Sequence, residues 1–177
     1  MNTRKHIFIA LFVGIFIVLN FLALYDPFSQ TTHAQPSIND DTLSVELVVE
    51  GLSSPTSMIF LDDNNILVLE KDGQVRHVTN GILQEQPVLQ IPVNTENERG
   101  LLGIATSNSS SSSANPTSSN IFLYYTEGDP LRNRIYKYQW NGETLISPVL
   151  ILDLPADPGP NHNGGEIVIG QDGYLYT

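Results

Sequence analysis

The feature that most constrains this chain is a strand, turn and strand unit that recurs along it. Pro55-Thr56-Ser57-Met58-Ile59-Phe60-Leu61 is followed by a polar turn and by Asn65-Ile66-Leu67-Val68-Leu69-Glu70. Gly100-Leu101-Leu102-Gly103-Ile104-Ala105 and Asn120-Ile121-Phe122-Leu123-Tyr124-Tyr125-Thr126 repeat the pattern. Gly165-Glu166-Ile167-Val168-Ile169, then Gly173-Tyr174-Leu175-Tyr176, begins it a third time. Pro55, Gly100 and Gly165 are thus separated by 45 and 65 positions. Repeats of about 40–50 residues carrying about four strands mark the blades of a β-propeller. A β-sandwich meander is the competing arrangement.

The remaining pattern is that of short strands and turns. Strands are predicted at Val45–Glu50, Thr56–Leu61, Ile66–Glu70, Gln74–Val78, Pro87–Ile91, Leu101–Thr106, Ile121–Thr126, Arg134–Trp140 and Leu145–Leu152. The turn signals Asp62-Asp63-Asn64-Asn65, Lys71-Asp72-Gly73 and Asn141-Gly142 separate them. No segment after residue 43 has helical period, so residues 44–177 read as all-β. They amount to about two blades and the start of a third. A propeller closes with about 4–8 blades, so a longer chain is expected to complete the ring. Ser107–Ser119 is a Ser/Asn/Pro tract that lengthens one hairpin, and its Asn108-Ser109-Ser110 is a weak glycosylation signal.

The N-terminal region has a different character. Arg4 and Lys5 precede an almost wholly apolar run from Ile7 to Tyr25. Residues 1–25 are therefore expected to be a hydrophobic helix, serving as a signal peptide or a membrane anchor. Thr32-His33-Ala34 offers a cleavage site after Ala34; without cleavage, residues 7–25 hold the chain to the membrane. Residues 26–43, rich in Pro, Ser and Thr, read as a linker. The expected location is extracytoplasmic, secreted or tethered.

Charge and cysteine content exclude several functions. Of 19 Asp and Glu, Asp26 alone precedes residue 35; of 8 Lys and Arg, Arg4 and Lys5 do, leaving 18 acidic against 6 basic residues. Nucleic-acid binding, which needs clustered cations, is disfavoured. There are 0 cysteines, so disulfides, thiol catalysis and Cys-ligated metals are excluded. The spacings of calcium loops and zinc helices are also absent from the sequence.

Two loops carry candidate chemistry. One is Glu96-Asn97-Glu98-Arg99-Gly100, leading into an apolar strand; the other is Pro160-Asn161-His162-Asn163-Gly164-Gly165. In the repeat alignment Glu98 and His162 each precede the innermost strand of a blade, so both are expected at one end of the central channel. His162 either satisfies a backbone carbonyl of its own loop or acts as a base. Glu98 and Arg99 either form a surface ion pair or line a site. The glycines serve turn geometry at the least. His77, between Val75 and Val78, reads as structural.

Glu98-Arg99-Gly100-Leu101-Leu102-Gly103-Ile104-Ala105, Tyr124-Tyr125-Thr126, His162-Asn163-Gly164-Gly165-Glu166 and Gly170-Gln171-Asp172-Gly173-Tyr174-Leu175-Tyr176, in this order, resemble the soluble glucose/sorbosone dehydrogenase family. The resemblance implies a six-bladed propeller using pyrroloquinoline quinone (PQQ). It implies that His162 is the catalytic base taking a proton from a sugar hydroxyl while hydride passes to the quinone. It places Glu98 and Asn161 at substrate-binding positions where the glucose enzymes have Gln and Asp. Charge has thus moved from one position to the other, which favours a different aldose or polyol over glucose itself. PQQ-binding residues and any calcium ligands are expected in later blades, an external electron acceptor is implied, and residues 1–177 alone are expected to be inactive. Two alternatives stay open. One is a non-catalytic propeller that binds carbohydrate or a surface protein. The other is a calcium-dependent lactonase-type propeller to which Glu98, Asn161 and Asn163 contribute.

Overall fold

In a computed structural model, residues 38–107, 119–156, 159 and 161–177 are described. The expected helix over residues 1–25, most of the 26–43 linker and Asn108 lie outside the described residues. Two compact units divide the chain at Glu46 and Leu47. In the first, the described residues 38–46 are exposed, with a turn in which Leu43 N donates to Asp40 O at 3.1 Å.

The second unit is built of antiparallel strands, and no helix occurs among the described residues. One sheet runs β1 (Pro55–Asp62), β2 (Asn65–Glu70), β3 (Gln74–Thr79), β4 (Ile82–Leu83), with β5 (Leu89–Gln90) also on β3. A second is the meander β6 (Leu101–Ser107), β7 (Ser119–Gly128), β8 (Leu131–Trp140), β9 (Leu145–Pro155). The pair β10 (Val168–Ile169) and β11 (Leu175–Tyr176) starts a third. Such four-stranded meanders are the layout of propeller blades. Their first strands are neighbours: β1 lies beside β6, and β6 beside β10. The Thr56 hydroxyl donates to Leu101 O at 2.7 Å across the first junction.

Period-two alternation places a core on each face of the second sheet. On β7, Ile121, Leu123 and Tyr125 join Leu67, Leu69 and Val75 of the first sheet, together with Leu101, Tyr138 and Trp140. Tyr124 and Phe122, pointing the other way, join Ala105, Ile135 and Ile167, with Ile169 and Leu175 of the third sheet beside them. Burial of each large aliphatic side chain stabilises by about 1.5–3 kcal/mol, so these two interfaces hold the three sheets in register.

Three local readings are corrected. Val45–Glu50 forms no strand: Val45, Leu47 and Val48 are exposed, and no sheet neighbour among the described residues bonds this segment. Pro87–Ile91 is strand only at Leu89–Gln90, although Val88 N donates to Val75 O and Ile91 N to Gly73 O, both at 2.9 Å, at its two ends. The sequence reading passed over β4, although Asn80-Gly81 signals it: both residues have positive φ, 52° and 74°, as the tightest hairpin turns require. His77 is structural as expected. Its Nε2 lies 3.0 Å from Asn65 Oδ1, its ring meets Trp140 edge-on, and burial lowers its pKa.

The approach of β10 to β6 explains two motif glycines. A Cβ on Gly103 would lie 1.8 Å from Gly165 O, and one on Gly165 would lie 2.8 Å from the Leu102 Cβ. Neither obstacle is the end of a flexible side chain, so main chain must shift to admit a methyl. Gly103→Ala is expected to destabilise the fold by about 2 kcal/mol or more, as overpacking does. Gly128→Ala, whose nearest neighbour is the Asn94 Cβ at 4.0 Å, should be close to neutral. Urea unfolding of the two variants in the full-length protein checks this; equal stabilities would contradict it.

Candidate active site

The site is formed by the chain entering β6 and the chain entering β10. Thr126, near the end of β7, holds the first of these by its backbone. Asn94 N donates to Thr126 O at 2.9 Å, and Thr126 N donates to Gly100 O at 3.0 Å. The loop from Asn94 to Gly100 is therefore closed at both ends on one residue. Within it Glu96 N is held by Asn94 Oδ1 at 3.0 Å, and Lys71 Nζ donates to Asn97 O.

Glu98, exposed on this loop, reaches the second one: its Oε2 accepts from His162 N at 2.6 Å. The structure thus brings together two residues 64 positions apart. His162 has φ of 60°, a left-handed conformation that an L-residue adopts only at a cost. The Glu98 carboxylate takes up the amide that this turn exposes. A carboxylate on an N–H makes a short, charge-assisted bond. The His162 ring is exposed and makes no hydrogen bond among the described residues. Asn161 is exposed beside it.

Asn163, the next residue, is buried, and anchors the loop. Tyr124 OH donates to its backbone carbonyl, and Asn133 Nδ2 lies 3.4 Å from its Oδ1. Burial raises the Tyr124 pKa, which keeps the phenol protonated and able to donate. The sequence reading assigned no role to Asn133 or to the Tyr124 hydroxyl. Neither has a motif of its own; what marks them is a polar group at an inward position of a strand.

Arg99 also departs from expectation. It is 4% exposed, and its ion-pair partner is Glu96, at 3.1 Å, rather than Glu98. The pair with Glu98 is therefore not the one formed; a buried Arg99 is joined to a solvent-exposed Glu96. The turn that bonds Arg99 N to Glu96 O also brings their side chains together. The guanidinium spans to the other loop, donating to Ala156 O at 3.4 Å and Gly159 O at 3.0 Å. It thus holds the chain a few residues ahead of His162, using the planar fork that lysine lacks.

Among the described residues no three His, Asp or Glu side chains converge to hold a metal. The cations beside this site are engaged: Arg99 with Glu96 and two carbonyls, Lys71 with Asn97 O.

A sequence model of the Glucose / Sorbosone dehydrogenase family matches residues 52–177. The chain belongs to that family. Members of the family are in general quinone-dependent. A crystal structure from Thermus thermophilus, described as a candidate oxidoreductase (glucose dehydrogenase), has 32% sequence identity and a TM-score of 0.63. The match covers 73% of this chain and 38% of that one. An uncharacterized protein of Synechocystis sp., slr1608, is 24% identical over 136 residues, covering 73% of this chain and 33% of the relative. The chain thus spans about a third of the length of the curated relative it matches.

Arg99→Met keeps the side chain's bulk but removes the donors to Ala156 and Gly159. It is expected to cost about 2–3 kcal/mol, the range for lost hydrogen bonds to a charged group. Arg99→Lys should recover less than half of this. Urea unfolding of the full-length protein measures both; a loss under about 0.5 kcal/mol for Arg99→Met would contradict the assignment.

Proposed function

We propose that this segment supplies the proton-accepting side of a quinone-dependent sugar dehydrogenase. In this reading it forms two blades and the start of a third in a six-bladed propeller. Oxidation of a CH–OH carbon to a carbonyl releases one proton from oxygen and one hydride from carbon. His162 is assigned the proton. A neutral imidazole keeps one ring nitrogen with a free lone pair, and that nitrogen can accept it. The observation that supports this most is the Glu98 carboxylate on His162 N: it fixes the backbone of an exposed imidazole at the meeting point of two family motifs. Glu98 retains its second oxygen and Asn161 its amide for hydroxyl groups of an aldose or polyol.

PQQ is the acceptor that the family's quinone dependence suggests, and when bound it would supply the hydride-accepting chemistry. The residues described here do not by themselves fit it, because its carboxylates need cations and those beside the site are already engaged. Its binding residues, and any calcium ligands, are assigned to the remainder of the protein, as is contact with an external electron acceptor. Residues 1–177 alone are proposed to be inactive. Export fits the charged and apolar N-terminal run, with residues 1–25 either cleaved or kept as an anchor.

The test is turnover by the full-length protein, loaded with PQQ and calcium, across aldoses and polyols with an artificial acceptor. His162→Ala should lower kcat by about 10²–10⁴, the usual contribution of a positioned base. No turnover with any sugar would contradict the function, and undiminished turnover in His162→Ala would contradict the role of His162.

A further inference from the structure

Thr126 stands where the two loops of the candidate site meet. Its backbone closes the Glu98 loop at both ends, through Asn94 N and Gly100 O. Its side chain points elsewhere. The fully buried hydroxyl donates to Asn133 Oδ1 at 2.7 Å, from the position directly opposite on β8. The Asn133 amide nitrogen faces Asn163 Oδ1 at 3.4 Å, and Asn163 adjoins His162.

Thr126 Oγ1 has one proton, and Asn133 Oδ1 can only accept, so the hydroxyl must donate. That orients the Asn133 amide with Nδ2 toward Asn163. Thr126, Asn133 and Asn163 are all buried, at 0%, 7% and 5% exposure, so water cannot readily replace a missing partner. The last link is long, and by itself would be weak. With Oδ1 accepting from Thr126, the same amide presents Nδ2 to Asn163.

We propose that Thr126 is a positioning residue that registers the Glu98 loop against the His162 loop, by backbone to one and by the Asn133 relay to the other. The role in catalysis rests on His162 being the base; the mechanical coupling does not. One residue thus sets two distances, so the Glu98 carboxylate and the His162 amide meet without either loop being anchored to the other by packing alone.

Thr126→Val retains shape and both backbone bonds but removes the hydroxyl. In the full-length protein, hydrogen exchange read by mass spectrometry should rise about tenfold or more in peptides covering 161–165. Exchange over 94–100 should stay as in wild type. Thr126→Ser should restore protection of 161–165, because it restores the donor. Asn133→Ala cuts the same relay from the other side. It should release 161–165 alike, and the double variant should be no worse than either single one. Should Thr126→Val not fold, Asn133→Ala decides the question with the same readout.

With a sugar that the protein oxidises, Thr126→Val should lower kcat about tenfold or more, with KM changed less than threefold. It should have no further effect in a His162→Ala background. Release of 161–165 without any turnover would support the coupling and remove only the catalytic reading. Unchanged exchange at 161–165 in both variants, or equal release of both loops, would overturn the proposal.

Discussion

The structure depends on one close approach. The chain entering β10 crosses β6 so tightly that Gly165 O occupies the space a side chain on Gly103 would need. That contact seats the third sheet on the second and sets the starting point of the His162 loop. Ile167, two residues past Gly165, then enters the apolar cluster with Ala105, Tyr124 and Ile135. Arg99 holds the same chain from the other side, at Ala156 O and Gly159 O. The left-handed turn at His162 is the remaining strain, and Glu98 meets it with a carboxylate.

Much of this was legible in the sequence because strands with one buried face leave a period of two. Thr56–Leu61, Ile66–Glu70 and Gln74–Val78 are found within a residue or two of the expected bounds. Leu145–Leu152 runs on to Pro155 instead, since its pairing with β8 continues to Arg132. Val45–Glu50 has the pattern but no partner, and alternation alone cannot tell a strand from an extended segment. The repeat, where both residues precede a first strand, places Glu98 and His162 at the same end; the bond from His162 N to Glu98 is what the structure adds. What was not legible was the buried polar wiring. Arg99 looked like half of a surface pair because its fork acts on two backbone carbonyls, which leave no trace in sequence. Asn133 looked like an ordinary polar position on an alternating strand.

The family and the geometry bear on function from different sides. The family defines a class of sugar dehydrogenases, and the chain spans about a third of a curated relative. The geometry contributes a local statement: an exposed imidazole whose main chain is fixed by a carboxylate from another sheet. Under the proposed function Glu98 would both hold the loop and meet a substrate. A substitution there alters both, so KM effects at Glu98 do not isolate substrate contact.

The central claim is that the Glu98 carboxylate holds the His162 amide. The most direct measurement is hydrogen exchange of that amide, read by NMR in the full-length protein. His162 is exposed and lies in no strand, so its amide would otherwise exchange freely. The account predicts slowed exchange in the wild type, lost in Glu98→Ala. Exchange at the rate of an unprotected amide in the wild type, or slowed exchange that survives Glu98→Ala, would contradict it.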